Sequence, residues 1–347
     1  MSEIAIAWDG LTHYAALCLK EVLRRSESEI TIVSSISSRP PSNAEATIGK
    51  RVYWVDRQSP ISWSDLNLKT PSLFVQGSWS SKAHNTLGNL VRNQGGSVVM
   101  MMDNCWKGSL RQIVGAGYFR ARRRSQFAAT WVPGKSGRKL SRALGFPERL
   151  TFDKLYGADP KAFPEGPPLP KRPKRLLFAG QLIERKGVEV LAKAFESFAR
   201  SNQDWSLDVC GKGPLEHLFQ NINNVVLHGH TTPKELAEAM SNARFLVLPS
   251  YEEHWGVVVH EAALSGCGLL LSKNVAAGQD LLSKSNGEYF SPGNPHLLKE
   301  TMERASNYTD DTLQNVFEAS LTAAQRFGPG PFADQFAQMC GVLGHHC

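Results

Sequence analysis

Two carboxylates stand at either end of a short apolar run in the segment SYEEHWGVVVHEA, residues 250–262. Glu253 precedes a predicted helix, and Glu261 falls in the second turn of that helix. An ionised carboxylate accepts hydrogen bonds from hydroxyl groups, and it can accept two from neighbouring hydroxyls. The spacing alone leaves three interpretations open: a solvated surface pair, a catalytic pair, or two groups that hold one ligand.

The start of that helix and a basic pair elsewhere favour a phosphorylated group as part of the ligand. The helix begins near Gly256, so the backbone N–H groups of Gly256, Val257 and Val258 lie at the positive end of its dipole. Arg185 and Lys186 supply fixed positive charge just before another predicted helix. Each feature also occurs at ordinary helix starts, and it is their combination that indicates an anion site.

Both features follow predicted parallel strands, and loops at the carboxyl ends of such strands meet at one edge of the sheet. Gly211 and Gly213 lie in another of these loops, where glycine lets the backbone approach a ligand, although GKG is also an ordinary turn sequence. A nucleotide-sugar has a diphosphate between two sugars. It fits amides and cations in the middle with one carboxylate at each end.

Short apolar runs alternate with amphipathic stretches on both sides of a proline-rich segment, FPEGPPLPKRPKR at 163–175, which is predicted to be a linker. This alternation is typical of two doubly wound α/β units. No GxGxxG motif supports dinucleotide binding. The predicted strands are 3–8, 29–34, 51–55, 72–76, 97–102 and 128–132, then 175–180, 205–211, 224–229, 243–250 and 268–272. The predicted helices are 12–25, 81–94, 107–122, 135–144, 187–200, 233–242, 256–266 and a final stretch from about 310.

Charge is distributed unevenly along the 347 residues, although the net charge is only +7. Residues 1–175 hold 27 Lys and Arg against 13 Asp and Glu, whereas residues 176–347 hold 12 against 19. The basic half includes FRARRRSQ at 119–126. Either these arginines are simply solvated, or this half binds something anionic: a phosphorylated acceptor, an acidic glycan, an anionic membrane surface or nucleic acid.

The composition, 41% hydrophobic and 20% charged, is that of an ordinary folded protein. No run of 18 apolar residues predicts a membrane-spanning helix, and the start MSEIAIAWDG lacks the basic region of a signal peptide. The six cysteines show no metal or redox spacing and are predicted to be reduced. We expect a cytoplasmic protein, with peripheral attachment to the inner membrane face as an option.

The second half resembles the donor domain of glycosyltransferase family 4, the retaining, metal-independent enzymes of the GT-B fold. The resemblance covers about 150–345, and its motifs occur in the family's order. They are LTFDKLYGADPKAF (150–163), FAGQLIERKGVEVLAKAF (178–195), LDVCGKGPL (207–215), VVLHGHTTPKELAEAMSNARFLVLPS (225–250) and EEHWGVVVHEAALSGCGLLLS (252–272).

The resemblance implies roles for matching positions. Glu253 would hold hydroxyls of the transferred sugar near the reacting face, and Glu261 would bind the ribose. Lys186, with Arg185 and the amides at the helix start, would neutralise the diphosphate leaving group. The family usually has arginine where this chain has Gln181, so Arg185 is the alternative source of that contact.

The family's first domain commonly presents a histidine after a central strand, and here the corresponding residue is Asp103. Asp103 is therefore the acceptor-side candidate, and Gly10 is expected in the loop that faces the ligand. The resemblance implies two Rossmann-like domains that face a cleft, with the last helix returning to the first domain. The expected domains are 1–165 for the acceptor, 166–325 for the donor and 326–347 for the returning helix.

The predicted activity is that of a retaining, metal-independent glycosyltransferase of the hexosyltransferase type. It would move a sugar from a UDP- or GDP-sugar to a glycan or lipid-linked acceptor in polysaccharide or glycoconjugate biosynthesis, without a cofactor or metal ion. One alternative is a GT-B enzyme that epimerises the nucleotide-sugar. Another is a basic nucleic-acid-binding protein, which would use Phe119 and Phe127 beside the arginines of 119–126.

Overall fold

Two parallel β-sheets organise the chain in the computed structural model, which describes residues 4–36 and 43–346. Each sheet belongs to its own compact unit. The first unit comprises the residues up to Gly157 together with those from Phe327 onward, and the second unit is Ala158–Arg326. Both units are of the predicted α/β, doubly wound class. Glu3, the first residue of the first predicted strand, lies outside the described residues.

The first sheet has seven parallel strands within the described part of the chain. They are β1 Ile4–Asp9, β2 Ile30–Ser35, β3 Val52–Val55, β4 Leu73–Gly77, β5 Ser97–Met101, β6 Ala129–Trp131 and β7 Thr151–Phe152. Their order is β3-β2-β1-β4-β5-β6-β7, so the winding reverses between β1 and β4. The central strands are buried on both faces, as expected for a parallel sheet covered by helices. The six predicted strands are confirmed, and the two-residue β7 is an addition.

Helices cover both faces of this sheet. They are α1 His13–Arg25, α2 Ala44–Ile48, α3 Lys82–Asn93, α4 Leu110–Arg122 and α5 Lys135–Ala143. Residues of α1 and α2 pack on one face, and residues of α3, α4 and α5 pack on the other. The four predicted helices are confirmed to within about three residues at their ends, and α2 was not predicted.

The second sheet has six parallel strands in the described residues. They are β8 Arg175–Ala179, β9 Ser206–Cys210, β10 Val225–Gly229, β11 Phe245–Leu248, β12 Gly268–Ser272 and β13 Gly287–Phe290. Their order is β10-β9-β8-β11-β12-β13, and here the winding reverses between β8 and β11. The helices of this unit are α6 Val188–Ala199, α7 Pro233–Asn242, α8 Val257–Leu264, α9 Gly278–Leu281, α10 Pro295–Ser306 and α11 Asp310–Ala324. The additions to the prediction are β13, α9 and α10.

The last helix, α12 Pro329–Val342, returns to the first unit as predicted and packs on α1. Phe332 of α12 lies with its ring centroid 4.4 Å from that of Trp131. The chain re-enters this unit at Gly328, whose φ of 117° suits glycine. A side chain on Gly157 would collide with Gly328, because its Cβ would lie 2.2 Å from the Gly328 nitrogen.

The proline-rich segment 163–175 is part of the second unit rather than a free linker, because Arg172 fastens it. The buried guanidinium of Arg172 donates to the carbonyls of Met240 and Ala243, at 3.0 and 2.8 Å, and to that of Ser265. The unit boundary therefore falls after Gly157, whereas the sequence suggested 165. The second crossing, before Phe327, lies one residue from the expected position.

Two observations bear on the cellular setting. No helix in residues 4–36 and 43–346 is long and apolar enough to cross a membrane. Cys18, Cys105, Cys210 and Cys267 have free thiols, but Cys340 is in a disulfide bond. The prediction that all six cysteines are reduced is therefore wrong at Cys340.

Candidate functional site

The carboxyl ends of β8 and β9 are joined by close backbone contacts. Gly180 donates to the carbonyl of Cys210 at 2.9 Å, and Leu182 donates to that of Lys212 at 3.0 Å. A Cβ on Gly211 would lie 1.8 Å from the Gly180 oxygen, and one on Gly213 would lie 2.4 Å from the Leu182 oxygen. Both glycines are thus required by the contact between the two loops, whether or not a ligand also approaches them.

Lys186 is the cation that this arrangement positions. It ends a 3₁₀ turn, Glu184–Lys186, and the next residue, Gly187, has a φ of 68°. A Cβ on Gly187 would lie 2.2 Å from the Pro249 oxygen, so glycine lets the turn pack against the end of β11. The Lys186 side chain is only 11% exposed, and its ammonium forms an ion pair with Glu253.

Glu253 is held by its own backbone as well as by Lys186. Its N–H donates to the carbonyl of Asn274 and its carbonyl accepts from Ala276, both at 3.3 Å. Its side chain is 12% exposed. Gly256, with a φ of 95°, lets the chain turn beneath this carboxylate, because a Cβ there would lie 3.0 Å from Glu253 Cγ. The structure thus brings Lys186 and Glu253 together at one end of the sheet.

The amino end of α8 lies immediately after this turn. Gly256 is the residue before the helix and provides no side-chain cap, and Val257 and Val258 are partly exposed. The positive end of the helix dipole therefore lies beside the pair of Lys186 and Glu253. We call the loop after β8, the loop after β11 and the start of α8 together the cationic edge.

Arg185 and Gln181 are both exposed, but only Arg185 is charged. Arg185 is exposed, and its Nη1 donates to the carbonyl of Glu252 at 2.7 Å and lies 4.0 Å from Glu253 Oε1. Its charge is thus fixed close to the carboxylate. Gln181 lies two residues after the end of β8, and its side chain is exposed. The cationic edge therefore has the cations Arg185 and Lys186 together with the neutral amide of Gln181.

Glu261 lies on α8, one turn beyond the amino end of the helix. The residue as a whole is partly exposed, but its carboxyl group is surrounded by protein atoms. This desolvation raises the pKa of the carboxyl to about 7. The neighbouring His260 is fully buried. Its Nδ1 accepts from the N–H of Ala158 and its Nε2 donates to the carbonyl of Ala324, both at 2.9 Å, and burial lowers the pKa of the ring to about 4. His260 thus ties α8 to both ends of the second unit.

A separate polar cavity of about 410 Å³ lies within the first unit, at the carboxyl ends of β1, β4 and β5. Asp9, the last residue of β1, lines it together with Ser78 and Asp103, which come after β4 and β5. Arg57 lies 3.4 Å from Asp9 Oδ2 and donates to Ser78 Oγ at 3.2 Å. Tyr156 donates to Asp103 Oδ2 at 3.2 Å, and burial together with the Asp103 charge raises the pKa of the phenol well above its usual value.

Of the residues that line this cavity, the sequence predicts only Asp103 as a site residue. Gly10, with a φ of 72°, follows β1, but the cavity is lined by its neighbour Asp9. Ser78 could have been found, because it follows a correctly predicted strand. Arg57 and Tyr156 gave no comparable signal, since they come from loops distant in sequence.

The two phenylalanines beside the arginine run are unavailable to a nucleobase. Phe119 and Phe127 are 6% and 3% exposed, and their rings stack on each other with centroids 6.2 Å apart. Arg124 lies over the ring of Phe146, 3.9 Å from its centroid. The aromatic part of the nucleic-acid interpretation is therefore wrong. Within residues 4–36 and 43–346, no three His, Cys, Asp or Glu side chains form a group that could hold a metal ion.

Comparison with solved structures identifies the fold. Anabaena HepE in complex with UDP and glucose gives a TM-score of 0.76 over 98% of this chain and 99% of that chain, at 14% identity. This likeness extends over both units and confirms the predicted GT-B fold.

Sequence comparison adds a family match for the second unit. Residues 160–318 match the model for glycosyl transferases group 1, and this segment contains the whole second sheet. An uncharacterized glycosyltransferase of Methanocaldococcus jannaschii is 27% identical over 36% of this chain and 36% of its own length. A glycogen synthase of Mycobacterium tuberculosis is 29% identical over 35% of this chain and 31% of its own length. The chain thus spans about a third of the length of these curated relatives.

Proposed function

We propose that the protein is a glycosyltransferase that moves a sugar from a UDP- or GDP-sugar to a hydroxyl group of an acceptor. The observation that carries the proposal is the buried pair of Lys186 and Glu253 beside the uncapped start of α8. The group 1 match over 160–318 and the UDP and glucose of the HepE complex support it.

The first task of this site is to stabilise the departing diphosphate. Negative charge builds on the leaving group as the bond between the sugar C1 and its oxygen breaks, and fixed positive charge lowers the energy of that state. An ammonium has three donors, so Lys186 can keep its bond to Glu253 and still donate to phosphate. Arg185 and the amides of Gly256 and Val257 provide further donors.

Glu253 would hold hydroxyls of the transferred sugar, because its carboxylate is fixed by the backbone and oriented by Lys186. Glu261 would accept from the ribose hydroxyls. We propose same-face attack, in which the acceptor oxygen bonds to C1 while its proton passes to the departing phosphate oxygen. The anomeric configuration is then retained without a covalent enzyme intermediate. Family 4 membership, retention and independence from metal ions are parts of this proposal.

The acceptor would bind in the polar cavity of the first unit. Its carboxylates Asp9 and Asp103, the hydroxyl of Ser78 and the phenol of Tyr156 offer hydrogen bonds in several directions, which suits a polyhydroxylated molecule. Arg57 already faces Asp9, so the cavity has no cluster of uncompensated cations for a phosphate. We therefore favour a sugar or glycan head group as the acceptor.

A thermal-shift screen of UDP-, GDP- and ADP-sugars, followed by product analysis with glycan and glycolipid acceptors, tests the proposal. We expect stabilisation by one nucleotide-sugar, transfer that EDTA does not inhibit, and a product with the donor's anomeric configuration. Lys186→Ala should reduce the stabilisation at a given nucleotide-sugar concentration, and Lys193→Ala, an exposed lysine paired with Glu189, is the matched control. If no nucleotide-sugar stabilises the wild-type protein, the proposal fails.

The epimerase alternative is tested by the same samples without acceptor. A free isomer of the nucleotide-sugar would support epimerisation, whereas unchanged donor or slow hydrolysis would support transfer. The cytoplasmic location and the polysaccharide or glycoconjugate pathway stay predictions.

A further inference from the structure

Helix α4 presents apolar side chains on its outer surface. Leu110, Val114 and Tyr118 are 80%, 72% and 65% exposed, and Ile113 is 51% exposed. We call these four residues the apolar stripe. Single exposed apolar residues are ordinary on protein surfaces, but four on one short helix form a patch.

The stripe lies opposite the face by which α4 packs on its unit. Leu110, Val114 and Tyr118 are spaced four residues apart, so they project from the same side of the helix. Ala116 and Phe119 are the buried residues of α4, and at 100° per residue they project on the other side. The stripe therefore contributes nothing to the core of the unit.

The surroundings of the stripe are strongly basic. From Asn104 to Pro147 the sequence contains ten Lys and Arg and no Asp or Glu. Arg111, Arg120 and Arg122 of α4 itself are exposed, and they lie on either side of the stripe. Arg120 donates to the carbonyl of Arg142, a neutral acceptor that leaves the arginine charge in place.

An apolar helix face bordered by arginines fits the boundary of an anionic bilayer. Apolar side chains enter the region between head groups and acyl chains, the tyrosine ring lies at head-group level, and arginines contact lipid phosphates. A helix of 13 residues is about 20 Å long, which is too short to span a bilayer. It can only lie in the plane of the surface.

The other candidate partners fit this surface less well. Two copies meeting through this face would bring the basic surroundings of both stripes together, and like charges repel. A nucleic acid would pair with the arginines but would leave the stripe against phosphates, with no base stacking on the buried Phe119 or Phe127. A bilayer with anionic lipids satisfies both the stripe and the cations.

We propose that the first unit docks on an anionic phospholipid membrane through the apolar stripe of α4 and the arginines beside it. This attachment is independent of the activity proposed above. The arginines of 119–126 supply part of the attraction, but the stripe, which begins at Leu110, supplies the insertion.

One structural consequence does rest on the proposed function. An apolar groove of about 640 Å³ is lined by residues of α4 that include Tyr118 of the stripe, and it shares Trp79, Met102 and Asn104 with the polar cavity. A glycolipid held at the membrane could thus keep its chain in apolar surroundings while its head group occupies the cavity.

Co-sedimentation with phosphatidylcholine vesicles, with and without phosphatidylglycerol, tests the attachment. We expect binding to the anionic vesicles that is lost in high salt, since each lysine or arginine near the surface contributes about a fivefold factor in affinity. Val114→Asp should weaken binding by about tenfold or more, because it places a carboxylate among the inserted side chains. Val342→Asp, at a 49% exposed site on α12, should leave binding unchanged.

A charge pair at one position provides the sharper comparison. Gly117 lies in the middle of the stripe, and a Cβ there would meet nothing within 4 Å, so any side chain is accommodated. Gly117→Glu should abolish binding and Gly117→Lys should preserve it, although both replace glycine by a better helix former. Nucleotide-sugar stabilisation should be the same in both variants, which separates failure of attachment from failure of the enzymatic proposal.

Three results would overturn the inference. The first is no sedimentation of wild-type protein with anionic vesicles at low salt. The second is binding that survives both Val114→Asp and Gly117→Glu. The third is a dimer, detected by light scattering and dissociated by Val114→Asp, in place of vesicle binding.

Discussion

The two units have the same architecture but opposite chemistry at the carboxyl ends of their strands. In the second unit, Lys186, Arg185 and the start of α8 make this end cationic. In the first unit, Asp9 and Asp103 line the corresponding end together with hydroxyl groups. The site at each end is set by a few residues in the loops, whereas the six strands of the second sheet follow the same order as the corresponding strands of the first.

In each unit, the charge at the carboxyl ends of the strands is opposite in sign to the net charge of the whole unit. The first unit holds 22 Lys and Arg and 12 Asp and Glu, and the second holds 17 and 20. The basic unit therefore contains the acidic cavity, and the acidic unit contains the cationic edge. The net charge of a unit reflects mainly its outer surface, of which α4 is a part in the first unit. It does not identify the ligand that the loops of the unit bind.

The largest expected effect is the loss of transfer on removing Lys186. Lys186→Ala deletes the cation nearest the proposed diphosphate and leaves Glu253 without its buried partner. Transfer should fall by about 10²–10³-fold in kcat, the usual cost of losing one preorganised donor. Steady-state rates with the donor found by the screen would measure this.

Lys193→Ala is the control for that experiment, because it removes a lysine of the same unit that is 62% exposed. A Lys186→Ala enzyme with the same kcat as Lys193→Ala would show that the cationic edge is not the donor site.

The second effect concerns stability of the second unit. His260→Phe leaves the Ala158 N–H and the Ala324 carbonyl buried without partners, and we expect a loss of about 3 kcal/mol in the free energy of unfolding. Urea unfolding would measure it, with the exposed His296→Phe as the control.

The same histidine should make the free energy of unfolding depend on pH. Because burial lowers the pKa of His260 to about 4, the unfolded chain takes up the proton first. Its contribution to stability should be complete above about pH 6.5 and should be lost as the pH falls toward 4. His260→Phe should flatten this part of the profile, and a slope unchanged by the substitution would contradict the assignment.

A smaller effect is expected at the polar cavity. Asp103→Asn keeps the shape of the side chain but removes its charge, so acceptor KM should rise by about tenfold or more while the donor Kd stays the same. Asp56→Asn, on an exposed loop of the same unit, is the control. A change in donor Kd equal to the change in acceptor KM would remove the distinction between the two sites.

The smallest effect is the pH dependence of nucleotide binding. With a pKa of about 7, Glu261 is mostly ionised at pH 8 and mostly protonated at pH 6. If only the carboxylate accepts the ribose hydroxyls, the Kd for UDP should rise by about tenfold when the pH is lowered from 8 to 6. Titration calorimetry of wild type and Glu261→Gln would measure it, since the variant should lose this dependence.

The cationic edge could be predicted from the sequence because its residues lie in short, ordered motifs. Lys186 and Gly187 are adjacent, and Glu253 lies three residues before Gly256. Because both motifs follow predicted parallel strands, the positions of the strand ends are enough to predict that they lie at one edge of the sheet. The polar cavity could not be predicted in the same way. Its Arg57 and Tyr156 come from loops about a hundred residues apart, and only the folded chain brings them near Asp9 and Asp103.

The errors in the fold prediction have similar causes. Strand β7 is two residues long, too short for an alternation to be recognised. The segment 163–175 looked like a linker because its prolines exclude helix and strand, but the contacts of Arg172 with distant carbonyls decide its place. For α10, the sequence does contain a helix-start signal, namely the Asn294 cap followed by Pro295.

The most direct test of the contrast between the two sites is the affinity for UDP, measured by calorimetry in wild type, Lys186→Ala and Asp103→Asn. We predict that Lys186→Ala weakens binding by about tenfold or more, the value of one charge-assisted hydrogen bond, and that Asp103→Asn leaves it unchanged. Equal affinity in wild type and Lys186→Ala, or a loss confined to Asp103→Asn, would contradict the account.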